Sequence, residues 1–308
     1  ATNILGNTTE ETFTVTVTDH IGAYTISAFD GGDCSFIGTY DVSTLTCTLT
    51  EDVTVDDSDG IIIGSDGITL DGGNSYGIYG TATGTGAGAA LAGNYGYNSI
   101  GTVSPDGQYG VLIDGKDNVT IRNIGSIQNF HVGIVVNNAN TGIFIHHNGI
   151  SNIPYSAMQV VGSSGVTMTS NTVSNVVSTA GCVVHISSSE SSDLSHNDLS
   201  GSGGEYNVCI TNSNGIVVNA NTIPYNGDGI ISGIPLSSDI NIVNINITMD
   251  INIKVTININ INISINININ INNDINIDIG NNINISININ ITHDININIT
   301  INNNIDND

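Results

Sequence analysis

The chain has no tryptophan, and only 3 of its 308 residues are lysine or arginine, against 28 aspartates and glutamates. Lys116, Arg122 and Lys254 are the whole basic complement, and the formal net charge is −25. A nucleic-acid backbone is held by several Lys/Arg contacts, so nucleic acid is excluded as a partner. Anionic lipid surfaces are disfavoured for the same reason. No apolar run approaches the roughly 18 residues of a spanning helix, which excludes membrane insertion. A basic segment followed by an apolar one is also lacking, so any signal peptide is expected to have been removed already. A surface this acidic repels its own copies in low salt and stays soluble in screened or calcium-rich water.

Four cysteines are present, in two sequence-neighbouring pairs, Cys34 with Cys47 and Cys182 with Cys209. Asn-x-Ser/Thr sequons stand at Asn7, Asn118 and Asn246 and recur through the Asn-rich C-terminal region. An even cysteine count and glycosylation sequons together point to a secreted, extracellular or cell-surface protein.

From Gly110 the sequence divides into similar lines, among them "VGIVVNNANTGIFIHHNGISNIPY", "SAMQVVGSSGVTMTSNTVSNVVST" and "NVCITNSNGIVVNANTIPYNGD". Each holds a short apolar run, a small-polar turn, a second alternating run and then an asparagine. These asparagines are Asn123, Asn148, Asn171, Asn197, Asn221 and Asn246, spaced by 25, 23, 26, 24 and 25. A period of this size, built from short strands and Gly/Asn/Ser turns, predicts a β-solenoid in which equivalent positions stack from coil to coil. The alternating pairs Ile143/Ile145, Val166/Met168 and Ile216/Val218 are expected to fill its interior. The asparagines are expected at sharp corners, where Asn tolerates the left-handed conformation and stacked amides bond one another. A β-sandwich with regular turns is the competing architecture, but it predicts no fixed asparagine register.

The phrases "NVTIRNIGSI" and "GIVVNANTIPYN" resemble the repeats of right-handed parallel β-helix proteins, the pectate-lyase-like superfamily. The resemblance runs roughly from Ser58 to Asp250, with "DGIIIGSDGITLDGGNSYGIYG" as its first coil. It implies an all-β, right-handed parallel β-helix, and it is nearly silent on function because enzymes, binders and surface stalks share the fold. "TFTVTVTD" resembles the last strand of the small β-sandwich modules that precede such helices in microbial surface proteins. The resulting division is 1–57 as an N-terminal strand and cap, 58–250 as β-helix and 251–308 as an Ile/Asn tract. Within the coil picture, neighbouring coils about 4.8 Å apart would bring Cys182 and Cys209 within disulfide reach. Two reduced cysteines filling an interior column is the other reading. Cys34 and Cys47 are expected to staple a hairpin or cap at the helix entrance.

Chemistry-bearing clusters are sparse. Polysaccharide lyases of this superfamily use a basic proton abstractor, yet Arg122 is the only arginine and has no second cation near it in sequence. Glu190, Asp193 and Asp198 fall in one coil and read as an exposed loop rather than the facing carboxylates of a glycosidase. Adjacent His146 and His147 should point to opposite faces of a strand, and His147 and His196 should lie two coils apart. Neither arrangement shares a metal. Asp57 and Asp59, in "EDVTVDDSDG", resemble the start of a calcium loop whose remainder is missing, which leaves calcium as a weak cofactor candidate. "TATGTGAGAALAG" lacks a lysine and a following helix, so it reads as an insertion and not a phosphate loop.

From Ile251 to Ile305 every isoleucine falls on an odd number, across the interruptions "NND", "GNN" and "THD". Such alternation predicts extended chain with one apolar and one polar side. Further coils, an arm pairing with another subunit, and low-complexity sequence are the three readings. No cap is recognisable after Ile305, and an uncapped coil is a template for another chain. These features lead to a secreted structural protein, not an enzyme, that pairs with itself into a filament, stalk or surface layer. The alternative is a β-helix that binds or cleaves a neutral glycan, for which Tyr155, Tyr206 and Tyr225 would be exposed contacts. A third possibility is an adhesin module whose flat sheet holds ice, mineral or a host surface.

Overall fold

The computed structural model describes residues 22–81, 108–176, 182–201 and 206–223, followed by the backbone of eight strands between 228 and 302. Three sheets hold the described strands. Sheet I begins with Tyr24–Ile26 and continues through Ile61–Ile63, Tyr109–Asp114, Val132–Asn137, Ser156–Val161, Cys182–Ser187 and Tyr206–Thr211. Sheet III runs through Thr46–Leu49, Thr69–Asp71, Thr120–Arg122, Ile143–His146, Val166–Thr169, Asp193–Ser195 and Val217–Asn219. Sheet II runs through Val53–Thr54, Gly77–Tyr79, Ser126–Gln128, Gly149–Ile153, Thr172–Val176, Asp198–Gly201 and Thr222–Ile223. Six successive turns between Ile61 and Ile223 each give one strand to each sheet, in the chain order I, III, II. The fold is an all-β parallel solenoid.

Side chains alternate in and out along each short strand, so a residue that points inward stacks on its counterpart one coil away. The column Leu70, Ile121, Ile145, Met168, Leu194 and Val218 follows Cα pairing coil by coil and is buried throughout. Ile143, Val166 and Ile216 are buried as well, so all three expected interior pairs face the core. The hydrogen bonds between coils satisfy the backbone while these columns remove apolar area from water. Gly110 and Gly133 occur where a Cβ would lie 2.3 Å from Ile127 and 2.7 Å from Ile150, so glycine there lets the sheet II isoleucines fill the core.

The segment before residue 58 is not separate from these sheets. Tyr24–Ile26 pairs in parallel with Ile61–Ile63, and Val53–Thr54 with Gly77–Tyr79, so a first turn is already formed from Tyr24. Between its strands stand a four-residue helix, Cys34–Ile37, and the strand Gly38–Asp41, which pairs antiparallel with Thr46–Leu49. The Cys34–Cys47 disulfide, with a Cα separation of 5.8 Å, pins this helix to sheet III, as a staple at the entrance should.

Beyond Ile223 the backbone carries the same ladders onward. Sheet I adds Asp228–Gly233, Ile251–Thr256, Ile275–Gly280 and Ile297–Asn302, and sheet III adds Asn241–Val243, Asn262–Ile269 and Asn284–Ile291. Sheet II adds Asn246–Ile247 as its last described strand. The strands of the Ile/Asn tract therefore extend two of the three sheets by parallel pairing. Asn7 and the segment "TFTVTVTD", expected to be a strand, lie outside the described residues, as do Tyr225 and all but Thr81 of "TATGTGAGAALAG".

Candidate functional site

The densest polar construction lies at the corner between sheets III and II. Asn148, Asn171, Asn197 and Asn221 are each buried and form a one-way amide ladder, Nδ2 of each of the first three donating to the next Oδ1 at 3.0 Å. The second amide hydrogen of each goes to a main-chain carbonyl of the preceding coil, from Ile121 for Asn148 to Leu194 for Asn221. Each Oδ1 also accepts the backbone N–H of the residue stacked before it, beginning with Ile124. Such complete pairing is what makes a buried amide tolerable.

The register corrects the sequence expectation at both ends. The position equivalent to Asn148 one coil earlier is Ile124, so Asn123 lies one residue before the ladder and donates to Asp71 Oδ1 instead, at 3.2 Å. Asn246 is the Cα partner of Thr222, one position past the ladder. The left-handed residues are not the ladder asparagines but those one position before that column: Asn123, His147, Ser170, His196 and Ala220, with φ between 52° and 57°. The amide is therefore selected by stacking, and the sharp turn by the neighbouring position. A second buried column, Ser163, Ser189 and Ser213, escaped the sequence reading. Their hydroxyls accept the N–H of Ala139, Ser163 and Ser189, and each donates to the carbonyl two residues back. Its signal was there, in serine spacings of 26 and 24 that match the coil length.

Cys182 and Cys209 are bonded, with a Cα separation of 5.7 Å, and no free cysteine remains. They are not stacked partners: Cys182 pairs with Tyr206, and Cys209 with His185. The bridge thus ties neighbouring sheet I strands obliquely.

Asp57 and Asp59 each accept a hydrogen bond from the start of the next coil. Asp57 Oδ1 accepts Gln108 Nε2 at 3.2 Å, and Asp59 Oδ1 accepts the N–H of Tyr109 at 2.8 Å. Burial raises the Asp59 pKa, with the Tyr109 N–H acting in the opposite direction. Both fix the start of strand Tyr109–Asp114. Among the described residues no group of three or more His, Cys, Asp or Glu side chains could hold a metal ion. Glu190, in a bridge to Ser164 and Asn214, is exposed; Asp193 is on sheet III and Asp198 on sheet II, across the Asn197 corner. Tyr155 and Tyr206 are half-buried rather than exposed, and the Tyr155 ring stacks on His131 at 5.5 Å. Asn118 is exposed on a left-handed turn, where a sequon is accessible.

The outer face of sheet III aligns Asp71, Arg122, His146 and Thr169 as successive Cα partners. Arg122 Nε bonds Asp71 Oδ2 at 2.8 Å. Burial would push the Asp71 carboxyl up, but bonds from Gly73, Asn123 and Arg122 hold it below the usual range. The histidines overturn the alternation argument. His147 sits in the left-handed corner, φ 57°, so its ring swings back towards His146, and the two Nδ1 atoms meet at 2.8 Å. Burial first, then His147 and Arg122, lower the His146 pKa, against an opposing pull from Asp71. His196 follows in the same corner column with Ser170 between, as expected. No protein-family model matches the chain, and no curated protein matches it either.

Proposed function

We propose that this protein is a structural β-solenoid that assembles with copies of itself, end to end or by strand exchange, into an extracellular filament, stalk or surface layer. The observation that carries the reading is the pairing of the strands Asn262–Ile269 and Asn284–Ile291. Both read "NISININI", and all eight Cα pairs between them join identical residues. The odd-number rule explains this: strands separated by 22 or 24 residues keep odd positions opposite odd ones, so the apolar residues pair with apolar ones, and Asn262–Ile269 meets Asn284–Ile291 like on like. In-register stacking of identical parallel segments is also the arrangement by which separate chains build fibres. A strand from a second copy meets the same partners, in the same register, as the strand within the chain. The two disulfides suit an oxidising extracellular setting. The likeness to right-handed parallel β-helix proteins supports an elongated rod as the repeating unit.

Negative-stain microscopy of the full chain and of a version lacking residues 251–308 tests the reading. Regular fibres are expected from the first, and dispersed folded rods from the second. Because the chain carries −25, assembly should be slow in low salt and accelerate as salt screens the repulsion. Equal polymerisation of both versions would place the contacts outside the Ile/Asn tract and end this reading.

A further inference from the structure

The paired imidazoles on sheet III have no part in solenoid packing. His147 is exposed, His146 is half-buried, their rings are nearly perpendicular at 86°, and the centroids are 5.1 Å apart. A neutral imidazole carries one N–H, so with the Nδ1 atoms 2.8 Å apart one ring donates and the other accepts. With both protons on Nε2, two lone pairs would face each other across a gap open to solvent. That is a two-nitrogen chelate, held by the left-handed turn at His147.

We propose that His146 and His147 form a two-coordinate site for a monovalent d10 cation, copper(I) foremost, bound through both Nδ1 atoms. Imidazole suits copper, zinc, iron and nickel alike, so the number of ligands, not their type, selects among metals here. Zinc takes three or four protein ligands, and the corner offers two. Metal–nitrogen bonds of about 2 Å require the nitrogens to open to about 4 Å, a rotation these surface rings can make. The Arg122 charge is neutralised by Asp71, and the acidic molecule attracts cations from afar. On binding, the ring that carried Nδ1–H shifts that proton to Nε2. The neutral pair keeps both of its protons on binding, and no electron is transferred.

The test uses the full chain titrated anaerobically with copper(I) against a colorimetric copper(I) chelator, with silver(I) as a redox-inert second probe. His146→Gln and His147→Gln should each weaken binding by about tenfold or more, whereas His196→Gln should change it less than about twofold. Zinc(II) should bind about a hundredfold more weakly than copper(I). In nitrogen-15 spectra of the unsubstituted protein, silver(I) should shift Nδ1 of both rings and leave both Nε2 protonated. That measurement decides the matter even if a variant misfolds. Copper(I) affinity unchanged in the double variant, a silver(I) shift at Nε2, or zinc(II) bound as tightly as copper(I) would each overturn the proposal.

Discussion

Asn171 donates one amide hydrogen to Asn197 Oδ1 at 3.0 Å and the other to the carbonyl of Ile145 at 2.9 Å, while its own Oδ1 accepts N and Nδ2 of Asn148. Replacing it by aspartate keeps the acceptors and removes both donors. A buried carboxylate then faces two oxygens, so its pKa rises. At pH 7 the cost should be about 3–5 kcal/mol. Because the folded state binds a proton more readily than the unfolded state, the variant should regain stability as pH falls through the raised pKa. Urea midpoints measured from neutral to about pH 4 check this. A deficit that does not shrink on acidification would show that the ladder does not depend on its donors.

His185 is buried on sheet I, with Nε2 at 3.4 Å from Thr211 Oγ1, and burial pushes its pKa down to about 4. The unfolded histidine titrates near about 6.5. Above that pH the ring is neutral in both states and costs nothing. Below it only the unfolded chain takes up the proton, so stability falls between about 6.5 and 4, by up to about 3 kcal/mol. His131 and His146, also lowered, add in the same direction. His185→Gln should flatten the slope in this window, seen as a smaller pH dependence of the urea midpoint. An unchanged slope would remove His185 as its source.

Ala220 holds the left-handed corner before Asn221 with φ 52° and no side-chain group to compensate. A left-handed alanine costs about 1–2 kcal/mol, partly offset by the extra unfolded freedom of glycine. Ala220→Gly should therefore raise stability by about 0.5–1 kcal/mol, measured as a higher denaturant midpoint at constant m-value. Destabilisation instead would mean that the alanine methyl makes packing contacts worth more than the strain.

Much of the solenoid was legible because its signals are local and repeated. Coils of nearly constant length return each residue type to the same column, so Ile121 and Ile145, or Ser163, Ser189 and Ser213, leave a period in the sequence before any contact is known. The four-rung asparagine column was legible in the same way. Its ends were not: Asn123 and Asn246 miss by one residue, because the coils tolerate small differences in length and only hydrogen-bond register fixes which side chain reaches the ladder.

The His146–His147 contact marks the other limit. Alternation holds within a strand, and a strand's end cannot be placed to the residue from composition; the left-handed turn at His147 reverses the second ring and brings together two groups that extended chain would separate. The oblique Cys182–Cys209 bridge is likewise a matter of register. The sequence alone determined the all-β stacking period, the buried columns and the like-on-like parity of the Ile/Asn tract, since each follows from residue spacing along one chain. Tertiary structure decided which corner residue turns left-handed, which asparagines share a ladder and which histidines meet, because those depend on the vertical alignment of coils that only the packed core sets.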